Sequence, residues 1–148
     1  MELVILMGLP ASGKSSFYKE KFADTHVRIN QDMLKTKQRV DQLFDFCLTQ
    51  QIKCVIDNTN ILAKLRSAYV EKASSVRYNV VGYFFKSTIP GCLERNRARS
   101  DANRVPDVAI ISKSKELELP KWSEGYDELF FVSLKDQGFD ISPWHSSE

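Results

Sequence analysis

The sequence predicts an α/β fold, a parallel β-sheet of about five strands with helices on both faces. Two observations carry that expectation. Short β-rich runs alternate along the chain with longer segments of helical periodicity, the pattern of successive βαβ units. The first run, Leu3 to Met7, is apolar without a break, as in a strand covered on both faces. At 148 residues, near the roughly 150 that one domain averages, the chain reads as a single unit over 1–148. Its core would occupy about residues 3–134, and residues 135–148 look like a loose polar tail.

The elements follow in order. Residues 14–23 carry Phe17 and Phe22 among helix-compatible neighbours, and His26 to Asn30 alternates as a short second strand. Asp32 to about Gln51 holds the most regular helical pattern. Val40, Leu43, Phe44, Cys47 and Leu48 recur there at i, i+3, i+4, i+7 and i+8 and make one apolar face. Lys53 to Asp57 is strand-like, and Ile61 to Val76 is helical, with Leu62, Leu65, Tyr69, Ala73 and Val76 on one stripe. Tyr78 to Phe85 is the longest β-rich run. Cys92 to Ser100 reads as an arginine-laden helix, and Pro106 opens another, since proline suits a first helical turn. Leu129 to Leu134 is the last strand.

Composition excludes several classes of protein. Aromatic residues make up 11% and no segment is low in complexity, which excludes a wholly disordered chain. No apolar run approaches the ~18 residues of a membrane span, so no membrane partner is expected. A net charge of +2 argues against a protein that coats DNA, while leaving room for a local basic patch. The apolar start, MELVILMGLP, has no basic leader or cleavage site and reads as a strand. Cys47, Cys54 and Cys92 are odd in number and far apart, which suits buried reduced thiols in a cytoplasmic protein. His26 and His145 stand alone, without zinc-ligand spacing. Trp122, Tyr126 and Trp144 could stack on bases, but core packing explains them as well. No motif indicates an oligomeric state.

One motif is specific. Gly8-Leu-Pro-Ala-Ser-Gly13-Lys14-Ser15 fits G-x-x-x-x-G-K-[ST], the Walker A phosphate-binding loop, between a predicted strand and a predicted helix. Glycines are required because backbone N–H groups must turn inward around phosphate oxygens with no Cβ in the way. Lys14 supplies a mobile charge for the β/γ phosphates and the Ser15 hydroxyl a hard oxygen ligand for Mg²⁺. The helix beginning here adds its positive end. Gly8, Pro10, Ala11, Ser12, Gly13, Lys14, Ser15 and Ser16 are therefore the candidate triphosphate-binding residues. The motif makes the fold class a P-loop NTPase/kinase fold.

Length argues against most large motors, and a switch GTPase would need a guanine-selecting N-K-x-D that the chain lacks. A kinase needs a base, a metal shell and cations for the transferring phosphoryl group. Asp32 and Asp57 stand at the C-terminal ends of predicted strands, where open α/β sheets place ligands. Asp32 is the candidate base, and its residue type would equally cap a helix. Asp57 is the candidate second metal ligand, and Asn58 and Asn60 beside it could contact the acceptor. Arg95 and Arg99, at i and i+4, would share a helix face and open a lid over residues 95–106. Five cations (Lys86, Arg95, Arg97, Arg99, Arg104) stand there against two acids (Glu94, Asp101), enough surplus to engage phosphates.

In order, GLPASGKSSF, INQD, VIDNTN and LERNRARS…RVPDVAI resemble the kinase domain of 5′-OH polynucleotide kinases, the phage and animal end-healing enzymes. ELELPKWSEGYDELFFV is similar to the closing segment of those domains, so the resemblance covers roughly residues 3–134. It implies a doubly wound sheet and transfer of the ATP γ-phosphate to a 5′-hydroxyl end of RNA or DNA. It also implies roles. Lys14 and Ser15 fall on the phosphate lysine and metal hydroxyl, Asp32 on the general base, Arg99 and Arg95 on the lid arginines. Lys35 falls where the phage enzyme has an arginine facing the substrate's phosphate, and Gln31 replaces the arginine that usually precedes the base. The D-x-D-G-T phosphatase motif of those enzymes is absent, so the resemblance is to a stand-alone kinase. Two other functions fit the residues: a P-loop kinase of a small hydroxylated metabolite, antibiotic or nucleotide-sugar, and a nucleotide-binding or regulatory domain that transfers nothing.

Overall fold

A computed structural model describes residues 1–145. The chain runs β1 (Glu2–Met7), α1 (Lys14–Lys21), β2 (Val27–Ile29), α2 (Gln31–Leu34), α3 (Lys37–Gln50) and β3 (Cys54–Asp57). It continues through α4 (Ala63–Ser75), β4 (Asn79–Phe85), α5 (Ile89–Arg97), α6 (Asp107–Glu116), β5 (Glu128–Lys135) and β6 (Gly138–Pro143). The strands form one six-stranded sheet in the order β2-β3-β1-β4-β5-β6. Every pairing from β2 to β5 is parallel, and β6 returns antiparallel along β5.

Strand alternation divides the core into two layers. Leu3, Ile5 and Met7 of β1 face one side with Cys54, Ile56, Val80, Phe84 and Leu129, where α3 and α4 supply Val40, Phe44, Cys47, Tyr69 and Ala73. Val4 and Leu6 face the other side with Val55, Val81, Phe85 and Val132, where α1 supplies Phe17 and β6 supplies Phe139. A strand covered on both faces has no polar alternation, hence the unbroken apolar run at the start of the chain. A third cluster joins Leu9, Cys92 and Ile110, with Leu93 and Val105 against it, and so packs α5 and α6 onto the segment that follows β1.

Four expectations are corrected. The long helix from Asp32 is two helices. Asn30, not Asp32, caps α2 by accepting from the Met33 N–H. Lys35 then takes a left-handed φ of 81°, and Thr36 caps α3 by accepting from the Arg39 N–H. The stripe on α4 is rotated: Leu65 and Val76 are exposed, while Arg66 is fully buried beside Tyr69, Val70 and Ala73. The arginine helix ends at Arg97, and Pro106 sits at the cap position before α6 rather than inside its first turn.

The fourth correction concerns the tail, of which residues 146–148 lie outside the described residues. Residues 138–143 form β6, the sixth strand, and Trp144 is buried against Phe84 and Phe131, with ring centroids 5.4 and 6.2 Å apart. Phe139 packs edge-on to Phe17 at 5.0 Å. Two aromatic anchors on alternate sides of a polar-looking strand hold it to the sheet, each contact contributing about 0.5–1.5 kcal/mol beyond its buried area.

Candidate active site

The site lies at the C-terminal edge of the parallel strands, where β1, β2 and β3 end. A cavity of about 530 Å³ opens there between the loop after β1, the loops after β2 and β3, and α5 and α6.

The loop after β1 is shaped by its glycines. At Gly8, a Cβ would stand 2.8 Å from Ser12 Oγ and 3.1 Å from Phe85 Cβ. Gly13 has φ 106°, a left-handed conformation that costs other residues strain, and begins α1 without any side-chain cap. No acid stands in the first turn of α1, so its N–H groups and positive end face the cavity free of local competition. Lys14 lies buried, and its Nζ donates to the Gly8 and Leu9 carbonyls at 2.9 and 2.7 Å and to Ser12 Oγ at 3.3 Å. Burial lowers its pKa to about 8, against the opposing pull of Asp57.

At the ends of β2 and β3, carboxylates and amides converge. Asp57 is 2% exposed, and its Oδ2 accepts from Ser15 Oγ at 3.2 Å and from Arg28 Nε at 2.7 Å. Arg28 Nη2 also donates to Ser15 Oγ at 3.0 Å, which closes a triangle. Asp32, in the first turn of α2, is exposed, lines the cavity and makes no recorded hydrogen bond among the described residues. Asn58 Oδ1 accepts from the Gln31 N–H at 2.9 Å and so ties the β3 loop to α2. Asn60 is buried, and its Nδ2 donates to the Leu6 carbonyl at 2.7 Å and to the Ile56 carbonyl at 3.3 Å. Its Nδ2 is thereby committed to β1 and β3 and positions the loop after β3.

Arg95 and Arg99 sit opposite. Arg95 Nε donates to the Ala11 carbonyl at 2.6 Å, latching α5 to the phosphate loop. Arg99 lies one turn beyond, in the turn after α5, and still lines the cavity with Arg95. Its Nη1 is buried and, among the described residues, has no partner. A buried guanidinium donor left unpaired is costly, and an anionic ligand in the cavity would satisfy it. The connection between α5 and α6 is tied internally. Asn96 exchanges two hydrogen bonds with the Val105 backbone, and Arg104 Nη2 donates to the Arg97 and Arg99 carbonyls.

Pro10, Ala11, Gly13, Lys14, Ser15, Ser16, Asp32, Asp57, Asn58, Asn60, Arg95 and Arg99 therefore all line one cavity. Gly8 and Ser12 shape the loop from behind it. Lys35 is the exception: it is exposed at the end of α2 and does not line the cavity, where Lys37 and Lys113 stand instead. Four residues were missed from the sequence: Arg28, Lys37, Arg66 and Lys113. A lone cation inside a short strand was the available signal for Arg28. Arg66 stood on a helix whose apolar stripe pointed elsewhere, and nothing local distinguished Lys113.

A parallel sheet with this strand order, a Walker A loop after β1 and an arginine-bearing helix pair over the strand ends define a P-loop kinase fold. Solved structures agree at the level of fold. The chain superposes on Kti12 of Chaetomium thermophilum, crystallised with ADP-AlF3, with a TM-score of 0.72 at 15% identity, covering 91% of this chain and 90% of that one. It superposes on a gluconokinase of Sinorhizobium meliloti 1021 with a TM-score of 0.60 at 16% identity, covering 89% and 82% of the two chains. By sequence the chain is similar to polynucleotide phosphatase/kinases. It is 27% identical over 151 residues to the bifunctional polynucleotide phosphatase/kinase of Schizosaccharomyces pombe, and 31% identical over 141 residues to one from Acanthamoeba polyphaga mimivirus. These matches take in 97% and 90% of this chain but only 37% and 33% of the relatives, so the chain spans about a third of their length. No family model matches the chain. No helix among the described residues is long and apolar enough to cross a membrane.

Proposed function

We propose that the protein is an ATP-dependent kinase that moves the γ-phosphate to a 5′-hydroxyl end of a nucleic acid. The observation that carries the reading is the convergence of Lys14, Ser15, Asp32, Asp57, Arg95 and Arg99 on one cavity, in a chain whose curated relatives are polynucleotide kinases. The α1 N–H groups and Lys14 would hold the triphosphate, with Lys14 exchanging the loop carbonyls for phosphate oxygens. Ser15 and Asp57 fit Mg²⁺, being hard oxygen donors 3.2 Å apart at the cavity wall; when bound, the ion neutralises charge on the β- and γ-phosphates.

Asp32, exposed at the cavity and without a side-chain donor among the described residues, would accept the proton of an incoming hydroxyl. Arg99 Nη1 would complete its hydrogen bonding on the transferring phosphoryl group, and Arg95 would keep the lid on the phosphate loop. Lys113 adds positive charge at the cavity wall for a nucleic-acid strand, whereas Lys37, also lining it, is paired with Asp41. Three buried free thiols suit a reducing, cytoplasmic compartment.

The test supplies purified protein, Mg²⁺ and γ-labelled ATP with matched 5′-OH and 5′-phosphate oligonucleotides of DNA and RNA. Label is expected only on 5′-OH strands, with a KM that rises with salt, and none with Asp32→Asn. ATP bound normally with no labelled strand would overturn the nucleic-acid acceptor and direct a screen to small hydroxylated metabolites. Unchanged ATP hydrolysis in Asp32→Asn, with no acceptor found, would identify a binding domain instead.

A further inference from the structure

The triangle of Ser15, Asp57 and Arg28 places a fixed cation against the two oxygens assigned to the metal. Arg28 projects from β2, is about one-quarter exposed, and is braced over the Tyr18 ring at 5.9 Å. Its Nε takes Asp57 Oδ2 at 2.7 Å, and its Nη2 takes Ser15 Oγ at 3.0 Å. It does not line the cavity, whereas Ser15 and Asp57 do. Arg28 therefore approaches from behind, pins Oδ2, and leaves Oδ1, to which no hydrogen bond is recorded among the described residues.

We propose that Arg28 is a built-in counter-cation that makes metal loading depend on the nucleotide. The proposal rests on the assignment of Ser15 and Asp57 as metal-holding residues. Two consequences follow from charge and geometry. First, the guanidinium neutralises Asp57 in the free protein, so a lone divalent cation meets a site with almost no net charge and a cation of like sign a few ångströms away. Second, the same two hydrogen bonds fix the Asp57 and Ser15 rotamers before any ligand arrives. Arg28 is thus a positioning residue: weak for free metal, ready for metal that brings the negative charge of a triphosphate with it.

The test measures free Mn²⁺ by its paramagnetic resonance signal, titrated into the parent protein, Arg28→Gln and Arg28→Lys, without nucleotide and with a non-hydrolysable ATP analogue. Removing the charge should tighten nucleotide-free Mn²⁺ binding on the order of ten-fold or more, while Arg28→Lys stays near the parent. Binding in the presence of the analogue should change less. Asp57→Asn should abolish the gain in the Arg28→Gln background. Equal nucleotide-free affinity in the parent and Arg28→Gln, both folded by circular dichroism, would overturn the proposal and leave the kinase reading standing. Metal bound with the analogue equally well in Asp57→Asn would overturn the metal assignment itself and this proposal with it. Should Arg28→Gln fail to fold, Arg28→Met carries the same measurement, because it keeps the apolar stem over Tyr18.

Discussion

Arg66 offers the sharpest test of how the fold holds the site. It is fully buried on α4, and its guanidinium forms a two-pronged pair with Glu124, Nε to Oε1 at 2.9 Å and Nη2 to Oε2 at 3.0 Å. The remaining nitrogen, Nη1, donates to the Asn60 carbonyl at 2.8 Å and the Glu118 carbonyl at 3.0 Å. Glu124 also accepts from Tyr126 Oη and from the Lys121 N–H, and burial with the adjacent carboxylate pushes the Tyr126 phenol well above its ordinary pKa. One arginine therefore joins α4, the loop after β3 and the segment before β5. In Arg66→Met the buried carboxylate loses its counter-cation, keeping only the Tyr126 hydroxyl and the Lys121 N–H, and both carbonyls lose the guanidinium donor. Breaking such a pair from one side costs about 3–5 kcal/mol, a large share of the roughly 5–15 kcal/mol that holds a domain together. At about 2–4 °C per kcal/mol for a chain of this size, the Tm should fall by roughly 6–20 °C.

Urea unfolding should show the midpoint falling with the slope unchanged. Adding Glu124→Gln should cost less than the sum of the single changes, by about 0.5–3 kcal/mol, because each partner's penalty is the other's isolation. A loss below about 1 kcal/mol in Arg66→Met, or strict additivity with Glu124→Gln, would refute the network as the element that sets the β3 loop.

Further outcomes follow from the same geometry. Arg99→Ala should lower kcat by about 10³–10⁵, at least as much as the roughly 10²–10⁴ expected of Asp32→Asn; a kcat equal to the parent would remove Arg99 from the reaction. Because burial holds the free-state Lys14 at about 8, and a triphosphate favours its charged form, ATP binding should take up a proton above pH 8 and weaken up to about ten-fold per pH unit. Calorimetry in two buffers of different ionisation enthalpy reads that uptake, and none at pH 9 would refute it. The sign for stability is opposite: between about 8 and the ordinary lysine value of 10.5 the unfolded chain binds the Lys14 proton more tightly, so this group stabilises the ligand-free protein as pH rises. Trp144→Ala should cost about 3–5 kcal/mol by urea unfolding, whereas a loss under about 1 kcal/mol would return the end of the chain to a loose tail.

What the sequence alone determined is local chemistry: the buried apolar run of β1, the Walker A loop, the acids that follow β2 and end β3, and the two arginines at and just beyond α5. Each is written in contiguous residues, where backbone freedom at Gly8 and Gly13, period and residue type suffice. Tertiary structure decided what depends on partners distant in the chain. Arg66 is buried only because Glu124, 58 residues away, neutralises it, and no helical pattern foretells such a pair. The end of the chain became a strand because Phe139 and Trp144 find Phe17, Phe84 and Phe131, although its own residues look polar. Arg28 stands on Asp57 because β2 and β3 are neighbours in the sheet, and Asn60 turns inward because β1 lies beside β3. A side chain's partner across a sheet is set by strand order and register, which are properties of the assembled molecule rather than of any one segment.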